Sequence, residues 1–142
     1  SQNKDFESAL KGYRVLAKLY KGKDLSRIYS AMGEVYGKEL NDLPNALKYL
    51  RLAKSSDPSN SSAYQKIGIV FAMTGQQDSA LINFNKALEL DPENARVMLN
   101  LGILYKQLGN NKLGDEYMVK AQQLDPTVVN RRMTEQTSEF KQ

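Results

Sequence analysis

GIVFAMTG (residues 68–75) and GILYKQLG (residues 102–109) are two versions of one phrase, Gly-x-x-aromatic-x-x-x-Gly, and the distance between them governs how the rest of the chain is read. Working outward from both copies, Gly68 pairs with Gly102, Phe71 with Tyr105, Gly75 with Gly109, Ala87 with Ala121, Leu90 with Leu124, and Asp91-Pro92 with Asp125-Pro126. Every pair is 34 residues apart (102 − 68 = 34), and a constant offset means that one structural unit has been copied. Within a unit, Tyr64, Ile67, Gly68 and Phe71 fall at i, i+3, i+4 and i+7, and Ala80, Phe84, Ala87 and Leu88 at i, i+4, i+7 and i+8. Both patterns have the helical period. Gly75 sits where the first helix should end, and Asp91-Pro92 stops the second, because proline disfavours helical backbone in the residue before it. Each unit is predicted to be a helix hairpin.

Composition bounds what such hairpins can do. With 41% hydrophobic residues but only 8% aromatics, the core must be aliphatic and alanine-rich. Cys and His are both absent, which removes thiolate and imidazole metal sites, cysteine nucleophiles, disulfides and Ser-His-Asp triads. No metal site, cofactor or catalytic residue is expected. The 20 basic and 16 acidic residues are mixed along the chain, so the formal charge of +4 reads as a solvated surface and no segment as a nucleic-acid or membrane-binding tail. No run approaches the roughly 18 apolar residues of a membrane span, and SQNKDFES at the start has no apolar signal core, so membrane insertion is not expected. Lack of Cys suits a reducing or an oxidising compartment equally, leaving localisation open. Acidic pairs such as Asp91-Glu93 and Asp115-Glu116 lie near helix starts, where the macrodipole favours negative charge without any chemistry.

The copied residues resemble the tetratricopeptide repeat, whose pattern is a large residue, Leu-Gly, Tyr, Gly, Ala, Phe, Ala and Pro at fixed places in 34 residues. Tyr64, Ile67, Gly68, Phe71, Gly75, Ala80, Phe84, Ala87 and Pro92 fill every place. The next unit supplies Met98, Leu101, Gly102, Tyr105, Gly109, Gly114, Met118, Ala121 and Pro126, departing at Gly114, Met98 and Met118 in ways expected to loosen packing. An earlier unit has Tyr29, Met32, Gly33, Tyr36, Ala46, Leu50, Ala53 and Pro58. There Tyr36 to Ala46 spans ten positions against nine from Phe71 to Ala80, with no turn glycine, so a longer or kinked turn is predicted in KELNDLP, with Pro44 near the next helix start. Gly33, Gly68 and Gly102 each cost about 1 kcal/mol relative to Ala in a helix, which makes sense where paired helices approach closely.

The resemblance implies an all-α fold, a right-handed superhelical array of antiparallel hairpins. Its expected parts are a lone second helix at 4–21, repeats at 25–58, 60–92 and 94–126, and a capping helix at 127–140. In the first of these Asp5-Phe6, Ala9, Tyr13 and Leu16 have second-helix spacing, so either more repeats precede it or residues 4–20 pack as a cap. In the last, Val129, Met133, Gln136 and Phe140 form one side.

What the resemblance implies for function is a non-catalytic scaffold whose first helices line a groove for a peptide segment or a partner's helix. Carried over by position, the groove residues are Arg27, Glu34 and Lys38 in the first unit; Gln65, Lys66, Ile69 and Met73 in the second; and Arg96, Leu99, Asn100, Ile103 and Lys106 in the third, with Ser30, Ala31, Ser62 and Ala72 beside them. One family subset grips the carboxylate tail of large chaperones with Lys and Asn side chains, but Ser30, Glu34, Lys66, Arg96 and Asn100 do not reproduce that clamp, and Glu34 would repel a carboxylate. An apolar centre of Ile69, Ala72, Met73, Leu99 and Ile103 edged by Arg27, Lys38, Lys66, Arg96 and Lys106 suits an amphipathic or acidic-hydrophobic peptide. The same apolar residues could instead lie deeper between hairpins. Two other readings stand beside this one: a self-associating or intramolecular regulatory module, and an RNA-binding helical repeat, which the lack of a basic stripe disfavours, so nucleic acid is not expected.

Overall fold

The structure is a computed structural model and describes residues 2–130. Among these residues every regular element is helical: α1 (Gln2–Ala17), α2 (Gly22–Glu34), a π-helical turn (Val35–Glu39), α3 (Leu43–Ser56), α4 (Ser61–Met73), α5 (Gln77–Leu90), α6 (Ala95–Gln107) and α7 (Asn111–Leu124). The hairpins α2–α3, α4–α5 and α6–α7 pair closely, and each packs on the next through α3 against α4 and α5 against α6. Residues 128–130 are again helical, while Met133, Gln136 and Phe140 of the expected capping helix lie outside the described residues.

The turns follow from a few side chains. Gly75 and Gly109 adopt φ of +78° and +89°, left-handed backbone that costs a side-chain-bearing residue energy, and so end α4 and α6. In the first hairpin Asn41 takes that role at φ +50°, asparagine being the residue besides glycine that best tolerates it. The extra residue expected in the KELNDLP turn is absorbed mostly earlier, as the widened π-turn that continues α2. Asp42 then caps α3, its carboxylate accepting from the Asn45 N–H at 3.1 Å, and Pro44 occupies the first turn.

Each first-helix glycine faces the large residue of its partner helix. A Cβ on Gly33 would come within 2.8 Å of Leu50 Cγ, and one on Gly68 within 2.7 Å of the Phe84 ring. The third hairpin corrects the expectation of looser packing. A Cβ on Gly114 would lie 2.6 Å from the Gly102 carbonyl oxygen and against Lys106 Cγ, so two glycines at one crossing bring α6 and α7 backbone to backbone. The main core, from Leu50 through Phe84 to Leu104, runs continuously through all three hairpins.

Helix α1 packs against α2 and the π-turn. Its anchor is the fully buried Leu10, with Phe6, Tyr13 and Ala17 half-buried on the same side; Ala9 and Leu16, expected to share a face with Tyr13, are exposed. A donation from Arg14 Nη2 to the Tyr36 hydroxyl at 2.8 Å adds a polar tie, and Tyr36 stacks on Tyr49 with ring centroids 5.4 Å apart. Hydrogen bonding to Tyr49 and the nearby phenols raises the Arg14 pKa further above its ordinary value, so this cation stays charged.

Candidate interaction wall on the first helices

Two asparagines assemble the wall formed by α2, α4 and α6. Asn60 caps α4, its Oδ1 accepting from Ala63 N–H at 3.1 Å, while its Nδ2 donates to Ser26 Oγ at 2.8 Å and Ser30 Oγ at 3.2 Å on α2. Ser26 is fully buried and its hydroxyl donates to the Ala53 carbonyl at 2.7 Å, so the network has no orphan. Asn94, 34 residues on, repeats the device: Oδ1 accepts from Val97 N–H at 3.1 Å, and Nδ2 donates to Gln65 Oε1 on α4 at 3.2 Å. One residue type thus starts a first helix and ties it to the first helix before it.

The third copy of the device is apolar. Val128 stands at the next 34-residue step, and Leu99 stands where Ser30 and Gln65 stood. Both are buried, Leu99 at 1% exposure, in a cluster with Ala95, Met98 and Ala121. Leu99 was expected to present its side chain to a ligand; instead it is covered by the chain's own residues around Val128. An apolar side chain at the asparagine position was the signal that could have shown this.

The remaining expected residues divide by environment. Ile69 and Met73 are half-buried against the main core, Ile103 is half-buried against the Leu99–Val128 cluster, and Ala72 is exposed. Glu34 and Lys66 meet each other across α2 and α4 at 3.5 Å, and Lys66 Nζ also donates to Ser62 Oγ at 3.3 Å. Lys106 turns onto its own hairpin and pairs with Asp115 at 2.9 Å, which gives that carboxylate a partner besides the helix dipole. Such exposed pairs contribute only about 0–1 kcal/mol to stability, but they answer charges that the sequence left facing a ligand. Arg96 and Asn100 are half-buried and engaged with neighbours. Arg27 is exposed, Lys38 is half-buried on the π-turn, and Gln65 is half-buried and committed to Asn94.

Beside the wall, a polar cleft of about 470 Å³ opens between the loops that start α6 and follow α7, lined by Gln65, Glu93, Asn94, Arg96, Leu124 and Asp125 among others. Its acidic members come from the recurring Asp-Pro loops, which sequence reading treated as helix stops. These loops are themselves ordered by side chains: Asp57 Oδ1 accepts from Ser59 N–H at 3.1 Å and Oγ at 2.7 Å, and Asp125 Oδ1 accepts from Thr127 at 3.0 and 2.7 Å in the same way. The Ser59 bonds hold the Asp57 carboxyl below the ordinary carboxylate value. Burial moves Tyr117, stacked on Tyr105 at 5.7 Å, the other way. Among the described residues no three carboxylates cluster as metal ligands would, and no helix is long and apolar enough to cross a membrane.

The class these features define is an array of helix hairpins whose first helices share one wall. Comparison with known families gives it a name. A model described as Tetratricopeptide repeat matches residues 26–60 and again 95–128, and one described as TPR repeat matches 74–109. The chain belongs to the tetratricopeptide repeat family, with its all-α, right-handed superhelical array of hairpins. Among solved structures it is similar to MamA, with a TM-score of 0.75 and 19% identity, covering 88% of this chain and 71% of that one. It is similar also to YrrB, described as a TPR protein with an unusual peptide-binding site, with a TM-score of 0.72 and 23% identity, covering 94% of this chain and 68% of that one. A third is MamA from Desulfovibrio magneticus RS-1, with a TM-score of 0.71 and 21% identity, covering 87% and 68% respectively. No sequence match was found among the curated proteins.

Proposed function

We propose that this protein is a non-catalytic scaffold that binds a peptide segment or partner helix along the α2–α4–α6 wall. The observation that carries the reading is the set of half-buried apolar side chains, Ile69 and Met73 beside the exposed Ala72 on α4 and Ile103 on α6, on helices that Asn60 and Asn94 tie to their neighbours. A ligand side chain placed there would remove apolar surface from water at about 25 cal/mol per Å². The peptide-binding site in the description of YrrB supports the same reading by likeness of fold.

The ligand we infer is apolar at its centre, and its acidic preference is narrower than the sequence indicates. Lys66 and Lys106 already face Glu34 and Asp115, and Arg27 lies near Asp57, which leaves the preference mainly to Lys38 just beyond α2. Peptides selected from a random display library against the full chain test the site. Their binding should weaken at least tenfold with Ala72→Glu, which places a charge in the apolar centre without disturbing a buried side chain. Unchanged binding to that variant, with its helical signal intact, refutes the wall as the site.

A further inference from the structure

The turn between α1 and α2 reads Lys18-Leu19-Tyr20-Lys21-Gly22-Lys23, and all six residues are exposed. Leu19 is 71% exposed and Tyr20 45%; one helical turn before Leu19, Val15 is 61% exposed. Exposed single apolar residues are ordinary, but three within six residues of one stretch are not. The run of charge along this stretch is also one-sided, although Asp24 follows it and Asp57 lies near Lys23. From Lys11 to Lys23 the chain carries Lys11, Arg14, Lys18, Lys21 and Lys23 and no carboxylate. Arg14 is committed to Tyr36, whereas no ion pair holds Lys11, Lys18 or Lys21 among the described residues. The even mixing of charge along the whole chain conceals this local run.

We propose that this patch is a peripheral docking site for an anionic lipid surface. The geometry favours lipid over a protein helix. A helix laid on α1 would have to cover Lys11, one turn from Val15, and Lys18, next to Leu19, and would bury or pair each ammonium. At a bilayer surface the same lysines extend to the phosphates while Val15, Leu19 and the Tyr20 ring enter the headgroup boundary, with the phenol hydroxyl remaining in water. Gly22, at φ +60°, takes left-handed backbone where the chain enters α2, two residues beyond the exposed Leu19-Tyr20 pair. Electrostatic attraction of clustered lysines and shallow apolar insertion are each weak alone and bind together.

Flotation of the full chain with vesicles tests this. Phosphatidylcholine vesicles carrying about 30 mol% phosphatidylserine, in about 0.1 M salt, should bind at least tenfold more protein than phosphatidylcholine alone. The triple variant Lys18→Glu, Lys21→Glu, Lys23→Glu and, separately, the double variant Leu19→Asp, Tyr20→Ser should each lose that binding with unchanged helical signal, since all five side chains are exposed. Binding that survives either variant overturns the proposal, the first result placing the site elsewhere and the second reducing it to charge alone. Failure of the parent chain to float with the anionic vesicles also overturns it and leaves the face to a protein helix. Peptide binding at the α2–α4–α6 wall is unaffected by either result.

Discussion

Replacing glycine by alanine in a helix ordinarily stabilises it by about 1 kcal/mol, so Gly102→Ala ought to help if propensity alone decided the matter. The structure predicts the opposite sign. A Cβ at position 102 would lie 2.6 Å from Met118 Cγ, 2.8 Å from the Gly114 carbonyl oxygen and 3.2 Å from the Met118 N, and two of those three atoms are backbone. A side chain could rotate away, but α7 can yield only by moving bodily from α6, disturbing the Tyr105–Tyr117 stack and the burial of Ala121. Overpacking costs about 1–3 kcal/mol, and contacts with backbone place this one in the upper part of that range, so after the propensity gain a net loss of roughly 1–2 kcal/mol and a melting point lower by about 3–6 °C is expected. Gly12 is the control, because a Cβ there meets nothing within 4 Å on the exposed side of α1. Gly12→Ala should hold or raise the melting temperature. Thermal and urea melts followed by circular dichroism measure both variants. If Gly102→Ala melts at or above the parent, the close crossing of α6 and α7 is wrong.

Further outcomes follow from the same contacts. Gly114→Ala installs the residue usual at that place in the family, yet should lower stability in urea melts by roughly 1–2 kcal/mol net of the propensity gain, because the Gly102 carbonyl occupies the space. Asn60→Ala should cost about 1 kcal/mol more than Asn110→Ala: both remove a helix cap, but only Asn60 also bonds Ser26 and Ser30 on the preceding hairpin, and equal costs would show that tie to be idle. Leu99→Ala should destabilise by about 2–4 kcal/mol, as a core truncation does, and a near-neutral effect would return Leu99 to the accessible wall. Ser59→Ala should raise the Asp57 pKa toward its ordinary value in an NMR titration. A folded-state pKa that lies low contributes stability above the unfolded value near 4 and loses it as pH falls through the folded value, so the variant should lose part of its stability at neutral pH and show a shallower decline in acid.

Most of the fold was legible because the repeat writes it twice. Gly68 and Gly102, Ala87 and Ala121, and the Asp-Pro stops place hairpins without recourse to tertiary information, and their glycines do face Phe84 and Met118. What escaped were places where one residue answers to a neighbour remote in sequence. The extra residue of the first unit was countable but not locatable, since a π-turn and a longer loop absorb one residue equally well. On α1, Leu10 rather than Ala9 or Leu16 joins Met32 and Tyr36, because the contacts of α1 with α2 and the π-turn, not its own spacing, decide which face is buried. Around the wall, side chains were placed by repeat position, but pairing depends on the register between helices: Lys66 reaches Glu34, Lys106 turns to Asp115, and Val128 closes over Leu99.

Ligand is proposed to bind on the first helices of the hairpins. Isotopically labelled full chain titrated with a display-selected peptide tests it by mapping which backbone amides shift in the NMR spectrum. Shifts concentrated on α2, α4 and α6 around Ala72 and Ile103, with the amides near the outward Ile82 on α5 unmoved, are the predicted result; shifts centred on α3, α5 and α7 would contradict it.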